Sequence, residues 1–246
     1  MRLIKADVKG QVDIKAFEKA LDPTRPALVV IAMGTTFKGG IDDQVAINQV
    51  LQKKKPVAVY RHLDAALFGG YLPFSKHNDL VDRTKHHFDS VAVSGHKFFG
   101  FDEPLGLVIT TNDVLKRQNP FQVSYLNDAV PTITCSRSGL GPLKFWWKVQ
   151  KTGLDGYKQQ SALILKNAAY LKQRFDELHY PAWRNDFSNT VYFKRPSQWV
   201  MSKWDLAPDF DPRLGGNLAH DIVMQHEGPE TIDRFIEDIK KDMAAQ

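Results

Sequence analysis

A chain of 246 residues with 43% hydrophobic content can bury a full core and is neither disordered nor fibrous in composition. The net charge of +5 comes from scattered lysines, with no arginine-rich arm or aromatic-interleaved basic stripe, which argues for a solvated basic surface and against a nucleic-acid partner. Cys135 is the single cysteine, so an intrachain disulfide and a cysteine zinc cluster are excluded, while no apolar run reaches bilayer length and Met1-Arg2-Leu3-Ile4-Lys5 is not a signal core. The composition therefore predicts a soluble cytoplasmic protein without a membrane partner. The eight histidines, including His77 and His86-His87, show no helical pair at metal spacing, and no metal site is expected.

In chain order, Lys9-Gly10-Gln11 reads as a turn. Asp13 then caps an amphipathic helix with Ile14, Phe17, Ala20 and Leu21 on its apolar face, stopped by Pro23 and Pro26. The run 27–32 is continuously apolar, which predicts a strand buried on both faces of a parallel sheet. It delivers Gly34-Thr35-Thr36 to the sheet edge, where the hydroxyls either satisfy their own turn or face a ligand. Asp42-Asp43 caps a helix from about 44 to 53, and Lys53-Lys54-Lys55 suits the negative end of its dipole.

A second strand, 57–63, ends in Asp64-Ala65-Ala66, and Gly69-Gly70 is read as a sharp turn past a ligand. A polar helical segment is expected around 79–85. The apolar run 89–93 then brings Ser94-Gly95-His96-Lys97 to a strand's carboxyl end, the edge at which α/β enzymes keep their chemistry. A further strand follows over 106–111. Alternating strands and helices at these intervals predict an α/β, doubly wound and mostly parallel sheet with right-handed crossovers.

Periodicity is lost from 116 to 138, which marks a functional or mobile loop. A helix with a break near 152–155 is expected over 143–178, with Phe145, Trp146, Val149, Leu163, Ala168, Leu171 and Phe175 buried. Beyond it, strands at 189–193 and 221–224 and helices at about 197–204 and 230–242 form a small α+β unit. The domain boundary is expected near 178, giving residues 1–178 and 179–246.

A lysine amine freed of its proton can attack an aldehyde to give a Schiff base, and a buried aspartate needs a cationic partner such as a protonated pyridine nitrogen. Taken singly, a strand-end lysine is usually a solvated surface group and a strand-end aspartate a helix cap. Together, His62-Leu63-Asp64-Ala65-Ala66 and Ser94-Gly95-His96-Lys97, in this order, resemble the pyridoxal-phosphate-dependent group II amino acid decarboxylases, in the branch of bacterial histidine and plant serine decarboxylases. The likeness runs from about residue 7 to the C-terminus and includes Gly34-Thr35-Thr36, Gly69-Gly70, Thr132-Ile133-Thr134, Ser136-Arg137 and His220-Asp221-Ile222-Val223-Met224. Ser138 and Cys135 depart from the branch's usual residues at that corner.

The resemblance implies a fold-type I, three-layer large domain for 1–178, with 143–178 as the linking helix, followed by a small α+β C-terminal domain. It implies pyridoxal 5′-phosphate as cofactor and an L-amino acid substrate, histidine-like or serine-like, converted to amine and carbon dioxide by a homodimer with shared sites. Lys97 is implied as the cofactor-bonding lysine and Asp64 as the partner of the ring nitrogen. Thr35, Thr36 and Ala66 are implied to lie beside the ring, and Ser94 and His96 in the phosphate and lysine surroundings. Tyr125 matches a loop tyrosine credited with protonating the reacting carbon, a loop tyrosine that merely packs being the alternative.

The family's glycine/serine-rich phosphate loop and ring-stacking histidine find no counterpart before Lys97, and His62 belongs to the Asp64 strand. The expectation is a decarboxylase polypeptide, or a C-terminal piece of one that works after pairing with an N-terminal part separately encoded or removed. The alternatives are a non-catalytic remnant or interaction subunit, and another pyridoxal-phosphate chemistry such as carbon–carbon cleavage or transamination.

Overall fold

The structure, a computed structural model, describes residues 1–117, 121–123, 128–130 and 138–245. The first helix, α1 (Ile14–Ala20), starts where Asp13 accepts a hydrogen bond from the Ala16 amide. Strand β1 (Ala27–Ala32) leads through a turn to α2 (Gln44–Lys54), capped by Asp43 through the Ala46 amide at 2.9 Å. Asp42 was expected to share that cap and does not. It is buried and accepts from the backbone amides of Val12 at 2.7 Å and Ala32 at 2.8 Å, while burial pushes its carboxyl above the ordinary value.

Strand β2 (Val59–Asp64), helix α3 (Phe68–Tyr71), strand β3 (Ser90–Ser94) and strand β4 (Gly106–Thr110) complete the first sheet. Its order is β1-β2-β3-β4, with β1, β2 and β3 parallel and β4 antiparallel to β3. Ala32, Asp64 and Ala92 stand in register across the three parallel strands. Two readings of this stretch need correction. Residues 78–81 form a single 3-10 turn where a helix over 79–85 was expected. Gly69 and Gly70 lie inside α3, where a Cβ on Gly69 would stand 2.7 Å from Val93 and one on Gly70 2.6 Å from Phe98, so close packing and not a sharp turn requires them.

After α4 (Asn112–Arg117) come β5 (Phe121–Val123) and β6 (Asp128–Val130), an antiparallel pair within the stretch expected to be irregular. Helix α5 (Leu140–Glu177) follows, kinked at Gly153, whose φ of 66° and ψ of 171° lie outside the helical region. The second sheet is antiparallel, β7 (Ala182–Arg184), β8 (Thr190–Lys194), β10 (Gly216–Ile222) and β9 (Ala207–Asp211) in that spatial order. Helices α6 (Gln198–Lys203) and α7 (Pro229–Ala244) complete this part of the chain.

Two cores result. One packs Phe17, Ile47, Leu51, Phe68, Tyr71 and Tyr157 against Val29, Ile31, Leu63, Val91 and Val93, one face of the first sheet. The other packs Leu171, Phe175, Phe193, Phe235, Ile236 and Ile239 between the second sheet, α5 and α7. Strand β1 was expected to be buried on both faces. Val29 and Ile31 are buried, whereas Leu28 and Val30 are 72% and 58% exposed, because the helices among the described residues lie on one side of the sheet. On α5, Ala168, Leu171 and Phe175 are buried as expected, but Trp146 and Leu163 are exposed.

Candidate functional site

Parallel pairing of β1, β2 and β3 brings their carboxyl ends to one edge, so the residues that follow each strand converge without any long connection. Behind β1 stands the turn 33–40. Its Met33 amide donates to the Asp64 carbonyl at 2.8 Å, tying it to the end of β2, and the Gly34 and Thr35 amides both donate to the Gly40 carbonyl. Thr35 spends its hydroxyl inside the turn, accepting from the Gly40 amide at 2.9 Å. Thr36 is exposed, and its hydroxyl has no partner among the described residues.

Behind β2, Asp64 is exposed and forms no ion pair among the described residues. Among the described residues its carboxylate accepts a hydrogen bond only from the Ala66 amide, at 3.4 Å. Ala65 is fully buried and donates its amide to the Ala92 carbonyl, while the Ala66 carbonyl accepts from the Ser94 amide at 2.9 Å, so the ends of β2 and β3 are laced together. Behind β3, Gly95 passes so close to Leu105 that a Cβ would stand 2.8 Å away. His96 and Lys97 project beyond it and are both exposed. The Leu105 amide donates to Nδ1 of His96 at 3.3 Å. Lys97 makes no ion pair among the described residues, and the Lys97 carbonyl accepts from the Gly100 amide in a tight turn.

The structure thus places Thr35, Thr36, Asp64, Ala66, Ser94, His96 and Lys97 at one sheet edge. Tyr125, Thr132-Ile133-Thr134, Cys135 and Ser136-Arg137 lie outside the described residues. Asp64 rises on the open face of the sheet, in register with Ala32, Ala92 and Val108, and the small side chains beside it leave room for a flat group. Further along that face, Tyr60 donates to Ser90 at 2.8 Å and Nδ1 of His62 lies 2.7 Å from the same hydroxyl, which accounts for His62 as a strand-pairing residue.

A carboxylate and an amine without ion-pair partners among the described residues, at one edge beside a floor of alanines, are groups that suit a pyridine nitrogen and an aldehyde. Among the described residues, no group of three or more His, Cys, Asp or Glu side chains could hold a metal ion. Residues missed by sequence reasoning surround the Thr36 turn. Asn185, Asp211 and His220 reach it from the C-terminal sheet, over sequence separations of up to 183 residues for the His220–Phe37 contact. Only the likeness of the stretch 220–224 to the decarboxylases singled out one of them.

The pyridoxal-dependent decarboxylase conserved domain matches residues 1–181. Serine decarboxylase 1 of Oryza sativa subsp. japonica is 33% identical over 250 residues, covering 99% of this chain and 50% of that protein. The histidine decarboxylase of Solanum lycopersicum is 34% identical, with 98% of this chain and 58% of that protein covered, and that of Vibrio anguillarum is 32% identical, with 98% and 62% covered. Among solved structures, Lactobacillus brevis glutamate decarboxylase superposes with a TM-score of 0.79 at 22% identity, covering 97% of this chain and 59% of that one. L-methionine decarboxylase from Streptomyces sp. 590 gives 0.78 at 22% identity, covering 97% and 58%. These superpositions carry the α/β fold, and the chain spans between half and about three-fifths of the length of the proteins it matches.

Proposed function

The chain belongs to the pyridoxal-dependent decarboxylase family, and from that membership we propose that it carries the lysine and carboxylate half of a pyridoxal 5′-phosphate site that decarboxylates an L-amino acid, histidine-like or serine-like. The observation that carries this reading is the pairing of Lys97 and Asp64 at one sheet edge, both exposed and neither neutralised by a neighbour among the described residues. When bound, the cofactor supplies an electron-withdrawing ring that takes up the electron pair released as carbon dioxide leaves. Lys97 would hold its aldehyde carbon through Nζ. Asp64 would hold the proton on its ring nitrogen, a carboxylate being the group that favours a charged donor beside it. Thr36 and Ala66 would flank the ring, and Ser94 and His96 would face the phosphate side. Tyr125 is proposed as the proton donor to the reacting carbon.

The open face implies a further partner. Leu28 and Val30 leave an apolar strip of β1 in water on the face that bears Asp64, and Val108 of β4 is exposed on the same face. We assign its cover to a polypeptide carrying the remaining family sequence, whether continuous with this stretch or separate, and place the assembly in the cytoplasm as a homodimer. No helix among the described residues is long and apolar enough to cross a membrane. The domain boundary is proposed at 178, between the two cores. The same exposed strip favours a second reading, an interaction subunit that keeps the lysine without turning over substrate.

Borohydride reduction in the presence of pyridoxal 5′-phosphate, followed by peptide mapping, tests the first reading. The label is expected on Lys97 and is expected to vanish in Lys97→Ala. A label on a different lysine, or none, would sink it, and association without label would leave the interaction subunit standing. Titrated alone, the 246-residue chain is expected to bind the cofactor weakly, because the family's glycine/serine-rich phosphate loop finds no counterpart in the sequence before Lys97. Product analysis of the covered protein separates decarboxylation from cleavage or transamination.

A further inference from the structure

Thr36 sits at the tip of a turn whose inner half is held by its own backbone and whose outer half is not. Each of the next two residues is fastened by side chains of the C-terminal sheet. The Phe37 carbonyl accepts from Nδ1 of His220 at 2.8 Å, and the two rings stack with centroids 4.4 Å apart and planes 17° apart. The Lys38 ammonium is buried against the Asp211 carboxylate, and the Lys38 carbonyl accepts from Nδ2 of Asn185 at 2.8 Å. Gly39 follows with a φ of 59°, and a Cβ there would stand 2.0 Å from Oγ of Ser188, so the approach of the two parts is as close as a backbone allows.

A buried ion pair is a poor way to gain stability, because desolvation of both charges offsets their attraction, but it fixes a geometry. Asp211 is also gripped by two nitrogens of Arg213, which itself donates to the Ala6 carbonyl, so the carboxylate is rigidly aimed. Resting on the cofactor reading above, we infer that His220, Asp211 and Asn185 are positioning residues of the site: they hold the turn so that the Thr36 hydroxyl is presented at the edge where Asp64 and Lys97 stand. The C-terminal sheet then takes part in the site without contributing a group to it.

Two variants loosen the tether in different ways. His220→Phe keeps an aromatic ring on Phe37 and removes the donor. Lys38→Met combined with Asp211→Met removes both charges together, so neither is left buried alone. Hydrogen exchange of the Gly34, Thr35, Gly39 and Gly40 amides is expected to quicken about tenfold, the worth of roughly one hydrogen bond, with the Ala65 and Gly95 amides unchanged. Borohydride-trapped pyridoxal 5′-phosphate on Lys97 is expected to fall in His220→Phe and in Thr36→Ala, and to fall no further when the two are combined. A folded variant whose turn exchanges at the wild-type rate overturns the inference, as do additive losses of label or global unfolding of both variants with no selective loosening of the turn. If wild-type Lys97 takes no label, the cofactor reading fails, and the exchange rates still decide whether these residues hold the turn.

Discussion

Asp64 and Asp221 show how differently two carboxyls of one chain are used. Asp64 is exposed and forms no ion pair among the described residues, which leaves its carboxylate open for the ligand role proposed for it. Asp64→Asn in the covered, active protein is expected to retain cofactor and to slow amine formation by on the order of 10²- to 10³-fold, the cost of removing one preorganised electrostatic contact. Unchanged turnover would mean that the ring nitrogen is held elsewhere. Asp221 is half-buried beside Glu227, and desolvation of its carboxyl pushes it up to about 8, with the neighbouring Glu227 acting in the same direction. Since the unfolded carboxyl titrates near 3.9, the stability this proton provides is complete below about pH 4 and is lost as pH rises to about 8. Asp221→Asn keeps a donor toward Glu227 and should flatten that profile, being relatively more stable at pH 8 than at pH 5. Thermal melts of both proteins across that range check it, and parallel curves would refute it. Neither environment was legible in the sequence, because burial and the Glu227 contact depend on how β10 meets the following turn. The Asp13 cap was legible since its partner lies three residues away, whereas Asp42 looked like a cap and instead serves Val12 and Ala32.

At the scale of elements, strands with purely apolar sequence were found at nearly their expected places, and so was the break in the long helix, because Gly153 can adopt a φ of 66° that other residues resist. Strands β7 and β9 were not foreseen. The former is three residues long, and the latter carries Pro208 and two aspartates that its edge position tolerates. Helix α3 was misread as a turn because paired glycines signal flexibility by default, while here they admit Val93 and Phe98. Gly69→Ala should therefore destabilise by about 1–3 kcal/mol through overpacking, despite its better helix propensity. A denaturant midpoint equal to or above wild type would contradict that account. The exposure of Trp146 and Leu163 could not be read from spacing alone, since a helical pattern says which residues share a face and not whether anything lies against it.

For the molecule as a whole, the two cores and the two sheets followed from the order of helix and strand signals, but the one-sided covering of the first sheet did not, since an apolar run looks the same whether both faces are filled or one. Sedimentation of the chain by itself is expected to show association that grows with concentration and weakens in the double variant Leu28→Lys with Val30→Lys. A monomer at all concentrations would argue against the exposed strip as a contact surface. The first sheet also ends on both sides in strands with no further strand beside them among the described residues, β1 at one margin and β4 at the other. Asp42 occupies the Ala32 amide at the first margin, blunting only its last rung. Two dissimilar margins on one sheet are a head-to-tail geometry, and head-to-tail contacts that do not return on themselves grow into filaments rather than closed particles. On the proposed reading, a covering polypeptide that also reached those margins would act as a chain terminator, limiting growth where the next copy would add.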